Sequence, residues 1–315
     1  MNHHPHAAPT LSSRPAAERA SVTAGTLAAS IRRSEWVLCL FFAYAAVLAL
    51  FAPVASSTRV RVVALNALIL AGYATLVLAE NAARNGRVLN MARDWLPLAL
   101  TLFAYHEMGW FALPLVAHPL ESRWVVWDRA ILRGFARQAI ESLGPVLPAI
   151  LDAAYFLVYA LGPLAVAMLY IYRRRDRADR FLFLFTTGVL LCYAQFPFWP
   201  SEPPRTVFPG EDLPSYLTVF RRWNLSLLEA GGIHTSVFPS AHVAAGFCAA
   251  AGMWSCLPEH KWVGRLFAAA AVVIAIATVY GRYHYVVDVF AGLLMTGVAL
   301  VLTRLLAARP NRNTP

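Results

Sequence analysis

Eight apolar runs divide this chain, each close to the roughly 20 residues that an α-helix needs to cross a bilayer. They are Trp36 to Ala55, Val60 to Ala79, Trp95 to Val116, Ala149 to Tyr172, Phe181 to Trp199, Val237 to Leu257, Val263 to Gly281 and Tyr285 to Leu306. Inside hydrocarbon every backbone N–H and C=O must be satisfied within the chain, so runs of this length fold as helices. The pattern predicts an all-α polytopic membrane bundle. Only a short turn, Pro53 to Arg59, separates the first two runs, so they form either two spans or a re-entrant pair. Trp36, Trp95 and Trp199 fall at run ends, where interfacial anchors sit.

Composition agrees. Hydrophobic residues make up 59% and charged residues 14%, against about 25% charged in soluble domains. A net charge of +10 would suit a nucleic-acid partner, but the arginines lie in short segments between apolar runs and form no single basic face. That spread excludes nucleic acid and suits membrane topology and anionic head groups. Cys39, Cys192, Cys248 and Cys256 sit in or at the ends of apolar runs without C-x-x-C spacing, as small buried apolar residues do.

The expected organisation follows from these runs. Residues 1–34, rich in Ala, Ser, Pro and Arg, read as a disordered cytoplasmic tail. Residues 35–94 hold two N-terminal transmembrane helices, 95–307 a six-helix core, and 308–315 a C-terminal tail. With the N-terminus inside, 17 of the 27 Lys and Arg residues fall on the cytoplasmic side, most densely in R-R-R-D-R-A-D-R at 173–180. This bias places both termini in the cytoplasm of a bacterial-type plasma membrane. The segment 200–236, His242 and His284 then face outward. An outer-to-inner helix followed by an inner-to-outer one returns the chain to that surface, so His242 and His284 can share a site.

Two stretches carry ionisable residues at the edges of these runs: F-P-S-A-H-V-A-A-G at 238–246 and Y-G-R-Y-H-Y-V-V-D-V-F-A-G at 280–292. Charges near membrane depth are expensive and default to functional candidates. His284 and Asp288 are spaced to share a helix face. The carboxylate can fix one imidazole nitrogen and leave the other as nucleophile or base. The same spacing serves equally a pair that only satisfies itself. His242 follows Pro239 and Ser240 at a helix start, where free N–H groups suit a phosphate; a capping Ser with an interfacial His is the plainer reading. Arg205 ends F-P-F-W-P-S-E-P-P-R at 196–205, a stiff extended exit from the fifth run. Its guanidinium and that of Arg282 can bind phosphate in a bidentate way or anchor head groups. A metal held by His242, His284 and Asp288 would be opposed by these arginines.

Other polar residues stand in apolar surroundings. His106 and Glu107 lie midway along the third run, and Asp152, Tyr155 and Tyr159 share one face of the fourth. The segment 206–236, with Phe208, Tyr216, Phe220 and Trp223, is long enough to wall a pocket as a lid.

Together the motifs resemble the type 2 phosphatidic acid phosphatase superfamily, whose pattern is K-x6-R-P, then P-S-G-H, then S-R-x5-H-x3-D. P-S-A-H at 239–242 matches the second motif, and H-Y-V-V-D-V-F-A-G at 284–292 matches the end of the third. The first survives only as P-P-R at 203–205. The resemblance covers about 95–306 and implies a six-helix core. It also implies that His284 attacks phosphorus, Asp288 orients it and His242 protonates the leaving alkoxide. Arg205, Ser240 and Arg282 would hold the phosphoryl oxygens, with no metal and no cofactor. Phe198 stands where the first motif has Lys, and Thr278 where the third has Arg. That variant is similar to inositol phosphorylceramide synthases and, more distantly, to sphingomyelin synthases. The implied substrate is a membrane lipid phosphate. Hydrolysis is the first expectation, because water needs no second binding site. Transfer of a phosphorylated head group to a lipid alcohol is the alternative, and a non-catalytic scaffold or transporter the remote one.

Overall fold

A computed structural model describes residues 30–83, 86–112, 115 and 117–307, and among them the chain is helical with no strand. The helices are α1 (Arg33–Phe51), α2 (Ser56–Ala82), α3 (Arg87–Met108), α4 (Pro119–Ile131) and α5 (Val146–Ile171). They continue with α6 (Ala178–Tyr193), α7 (Val219–Gly231), α8 (Ala241–Cys256), α9 (Lys261–Tyr280) and α10 (Val286–Ala307). Five are long and apolar enough to cross a membrane: α1, α2, α5, α9 with the turn before it, and α10. The protein is an all-α bundle integral to a membrane, as the apolar runs predict. The expected tails fall almost wholly outside the described residues; Arg33 and Ser34, assigned to the first tail, open α1.

Three expected spans take a different form. α6 and α8 have 16 residues each, fewer than a lipid-facing span needs. Both are enclosed by protein: α8 packs on α5, α6, α9 and α10, and α6 on α1, α3, α8 and α10. Helix walled by helix can give way to turns before the membrane surface, because protein satisfies the freed backbone. α3 stops at Met108, so His106 and Glu107 sit in its last turn and not midway along a span. α1 and α2 are separate helices of 19 and 27 residues, too long for a re-entrant pair. The boundary expected at residue 94 falls inside α3.

α8 occupies the centre because its sequence is small. Ala244, Ala245, Gly246, Ala249, Ala250 and Gly252 are all buried, and small residues let neighbouring backbones approach closely. At the end of the bundle where α8 finishes, charges bind the N-terminal pair to the core. Arg93 of α3 is buried between Glu35 of α1 (2.6 Å) and Glu80 of α2 (2.7 Å). Asp94 takes Arg32 at 2.7 Å and Arg175 at 2.6 Å. Buried charges persist only when paired in this way. Toward the other end, the Asn66 amide of α2 donates to Glu107 of α3.

α10 approaches the start of α8 through Gly292. A Cβ there would stand 2.5 Å from the Ser240 carbonyl oxygen and 3.0 Å from the Val243 Cβ. Gly297, just over one turn along, has nothing within 4 Å of such a Cβ. Overpacking a close contact costs about 1–3 kcal/mol, whereas Gly→Ala in an open helix position gains roughly 0.5–1 kcal/mol. Gly292→Ala is therefore expected to lower the thermal midpoint in detergent and Gly297→Ala to hold or raise it; equal midpoints would contradict the packing described.

Candidate active site

The start of α8 and the α9–α10 connection are joined by backbone. The Ser240 N–H donates to the Asp288 carbonyl at 3.1 Å. The Ser240 hydroxyl accepts from the Val243 N–H at 3.4 Å and so caps α8. The connection 281–285 folds back on α9, where the Thr278 carbonyl accepts from the Tyr283 and His284 N–H groups at 2.9 and 3.0 Å. Arg282 turns this corner with φ of 60°, a left-handed conformation uncommon outside glycine.

These bonds bring the two histidines into contact, with His284 Nε2 3.3 Å from His242 Nδ1. His284 Nδ1 lies 2.9 Å from the Val237 carbonyl and 3.3 Å from Asp288 Oδ2. A carbonyl only accepts, so Nδ1 carries the proton and Nε2 of the neutral ring presents its lone pair to His242. Burial, opposed by the Val237 bond and reinforced by the Arg205 charge, pushes the His284 imidazole down to about 3. The ring is thus neutral near pH 7, the state a nucleophile requires. Asp288 Oδ2 also accepts from the Tyr285 N–H at 2.8 Å. His242 stacks on Tyr155, with ring centres 4.7 Å apart at 12°, and meets Tyr159 edge-on at 5.9 Å.

Arg205 sits in a short helix, Pro204–Val207, and its N–H donates to the Arg282 carbonyl at 3.3 Å. Its guanidinium lies over the Tyr283 ring at 5.5 Å and has no carboxylate partner among the described residues. Arg221 of α7 approaches the same ring at 5.7 Å. It also lies within 3.4 Å of the Gly281 carbonyl and 3.9 Å of Asp152. Arg205, His242, His284 and Tyr283 line one end of a cavity of about 580 Å³. The other end runs between α3, α5 and α6, past Leu98, Leu102, Val158, Gly162, Phe185 and Val189.

Of the residues expected at the site, His242, His284 and Arg205 line this cavity, and Asp288 stands behind His284. Ser240 and Arg282 do not line it. Arg282 points instead to α4, where Nη1 meets Asp128 Oδ2 at 2.6 Å with both side chains fully buried. Asp128 Oδ1 accepts from the Val286 N–H at 2.9 Å, so one carboxylate fixes both ends of the connection carrying His284. The sequence reading missed Asp128, Arg221 and the Val237 carbonyl. Asp128 had a signal, an acid inside the apolar stretch W-V-V-W-D; a backbone carbonyl leaves none. Glu107 pairs with Asn66, away from the cavity, and Asp152 is held by Thr218 at 2.7 Å. Tyr105, the neighbour of His106, does reach the cavity wall.

Comparison with known proteins gives two matches. A family model described as the PAP2 superfamily matches residues 126–302. A stretch of 59 residues, 19% of this chain, is 44% identical to a PA-phosphatase related-family protein of Dictyostelium discoideum. The chain spans only 10% of the length of that relative. No solved structure gives a significant match. The family match takes in Arg205, His242, His284, Asp288, helices α5 to α9 and most of α10, more than half of the sequence, and so the chain belongs to the PAP2 superfamily.

Proposed function

We propose that this protein is a lipid phosphatase that works through a phosphohistidine on His284 and needs no metal. The observation that supports this best is the cavity. Its polar end presents two contacting imidazoles and an uncommitted guanidinium; its other end is apolar and runs into the bundle. That asymmetry suits a phosphate on an alkyl chain. Ala99, Leu102, Tyr159 and Pro163 line the cavity and are also exposed on α3 and α5, which suits entry from the bilayer.

In this reading His284 Nε2 attacks phosphorus as the bond to the lipid oxygen breaks. His242, protonated in the complex with the substrate anion, gives its proton to the departing alkoxide. Water then attacks the phosphohistidine, His242 takes a proton from it, and free phosphate leaves. Arg205 holds the phosphoryl oxygens, where a fixed cation acts on developing charge. Arg221 adds positive charge beside Tyr283, in a chain with Phe198 and Thr278 where the family motifs have Lys and Arg. Arg282 acts through Asp128 as a positioning residue, and Ser240 by fixing the start of α8. The site faces the extracytoplasmic side of a bacterial-type plasma membrane, with both termini cytoplasmic, a reading supported by the arginine distribution.

Loss of the nucleophile is expected to lower phosphate release from a lipid monophosphate by roughly 10³-fold or more, so His284→Ala is the first variant to assay. His242→Ala should be severe on alkyl phosphates and milder on an aryl phosphate, whose leaving group needs no acid. Wild-type rates in His284→Ala would remove the mechanism. Label appearing only in a new lipid when diacylglycerol, ceramide or inositol is present, and never as free phosphate, would assign transfer in place of hydrolysis.

Activity is expected to survive EDTA, and Arg205→Lys to lose nearly as much as Arg205→Ala, since an ammonium cannot reproduce the planar fork. Loss in EDTA reversed by one divalent ion would contradict this. For orientation, a cysteine at Gly210 should react with an impermeant thiol reagent in intact cells and one at Asp176 should not; the opposite pattern would invert the topology.

A further inference from the structure

Between the histidines and the apolar end of the cavity stands a belt of tyrosines. Tyr105 comes from α3, Tyr155 and Tyr159 from α5, and Tyr193 from α6, and all four line the cavity. The rings touch across helices, with Tyr105 and Tyr193 centres 5.6 Å apart. The Tyr105 hydroxyl is engaged, accepting from the Ile233 N–H at 3.0 Å. The hydroxyls of Tyr159 and Tyr193 make no hydrogen bond among the described residues. A buried phenolic O–H ordinarily finds a partner, and Tyr193 is buried while Tyr159 faces both the cavity and the outside of the bundle; four apolar positions would have lined a chain-binding cavity at no polar cost.

The belt also has a defined depth. Tyr193 ends α6 at the histidine side, with Val189 and Phe185 one and two turns back along the helix, and Tyr159 comes before Gly162 along α5, so Val189, Phe185 and Gly162 lie deeper in the bundle. At 1.5 Å per residue, Tyr193 stands about 12 Å above Phe185. A bound molecule with its phosphate against Arg205 and the histidines would thus pass the free hydroxyls before its alkyl chain reaches the apolar walls.

We propose that Tyr159 and Tyr193 determine specificity by hydrogen-bonding the oxygenated backbone next to the phosphate. The substrate class is then a lipid phosphate with an ester or hydroxyl close to phosphorus, such as an acylglycerol or sphingoid phosphate, in preference to a plain alkyl or isoprenoid phosphate. The proposal rests on the phosphatase reading above.

The test measures phosphate release by the full chain in detergent micelles, using oleoylglycerol phosphate and oleyl phosphate, which share a chain length and differ in the oxygenated link. Wild type is expected to favour the acylglycerol phosphate in kcat/KM by about tenfold. Tyr159→Phe and Tyr193→Phe, which keep the rings, should each reduce that ratio by about 3- to 10-fold, the range of one or two hydrogen bonds. Equal wild-type rates on both substrates, or variants losing equally on both, would overturn the belt and leave the phosphatase reading standing. Release from neither substrate by wild type would overturn the phosphatase reading and the belt with it.

Discussion

The site depends on one junction, the backbone bond from the Ser240 N–H to the Asp288 carbonyl, made where Gly292 lets α10 close on the start of α8. Two stretches far apart in sequence meet there, and the contact between His284 Nε2 and His242 Nδ1 exists only because they do. Everything around the junction limits its freedom. Asp128 holds Arg282 on one side and the Val286 N–H on the other, while Val237 and Asp288 together fix the face His284 presents. The small residues of α8 allow this by bringing α5, α6, α9 and α10 close enough to surround it.

Electrostatics and packing divide the labour. The paired charges at the far end, centred on Arg93 and Asp94, join helices; each cation there has its carboxylate. At the site end Arg205 has none among the described residues, and its charge is left available in a low-dielectric wall where an anion would feel it strongly. Neutral His284 and a cationic Arg205 in one cavity are chemically consistent, because the guanidinium that opposes an imidazolium attracts a phosphate, and a low dielectric strengthens both effects.

Much of this was legible in the sequence for physical reasons. Apolar length reports spanning helices, so the all-α bundle could be read directly, and alternation of span direction was enough to bring His242 and His284 to one end. Side-chain direction was less legible. Arg282 lies two residues from His284 yet points away from the cavity, because its left-handed backbone aims it at α4. The Val237 carbonyl was invisible because backbone acceptors leave no mark in a residue pattern. α4 and α7 lie outside the eight apolar runs because charged and polar residues interrupt their apolar positions. The shortness of α6 and α8 was hidden because hydropathy does not tell burial in protein from burial in lipid.

The central claim is that His284 Nε2 carries the phosphoryl group during turnover. The direct measurement is to mix the purified protein with a lipid phosphate labelled on phosphorus, quench within the first turnovers, and analyse the denatured chain. The account predicts label bound to the protein, stable in alkali and lost in acid as expected of a phosphoramidate, located on the peptide containing His284 and absent from His284→Ala. Turnover of the same substrate with no label on the chain at any quench time, or label that persists in His284→Ala, would contradict it.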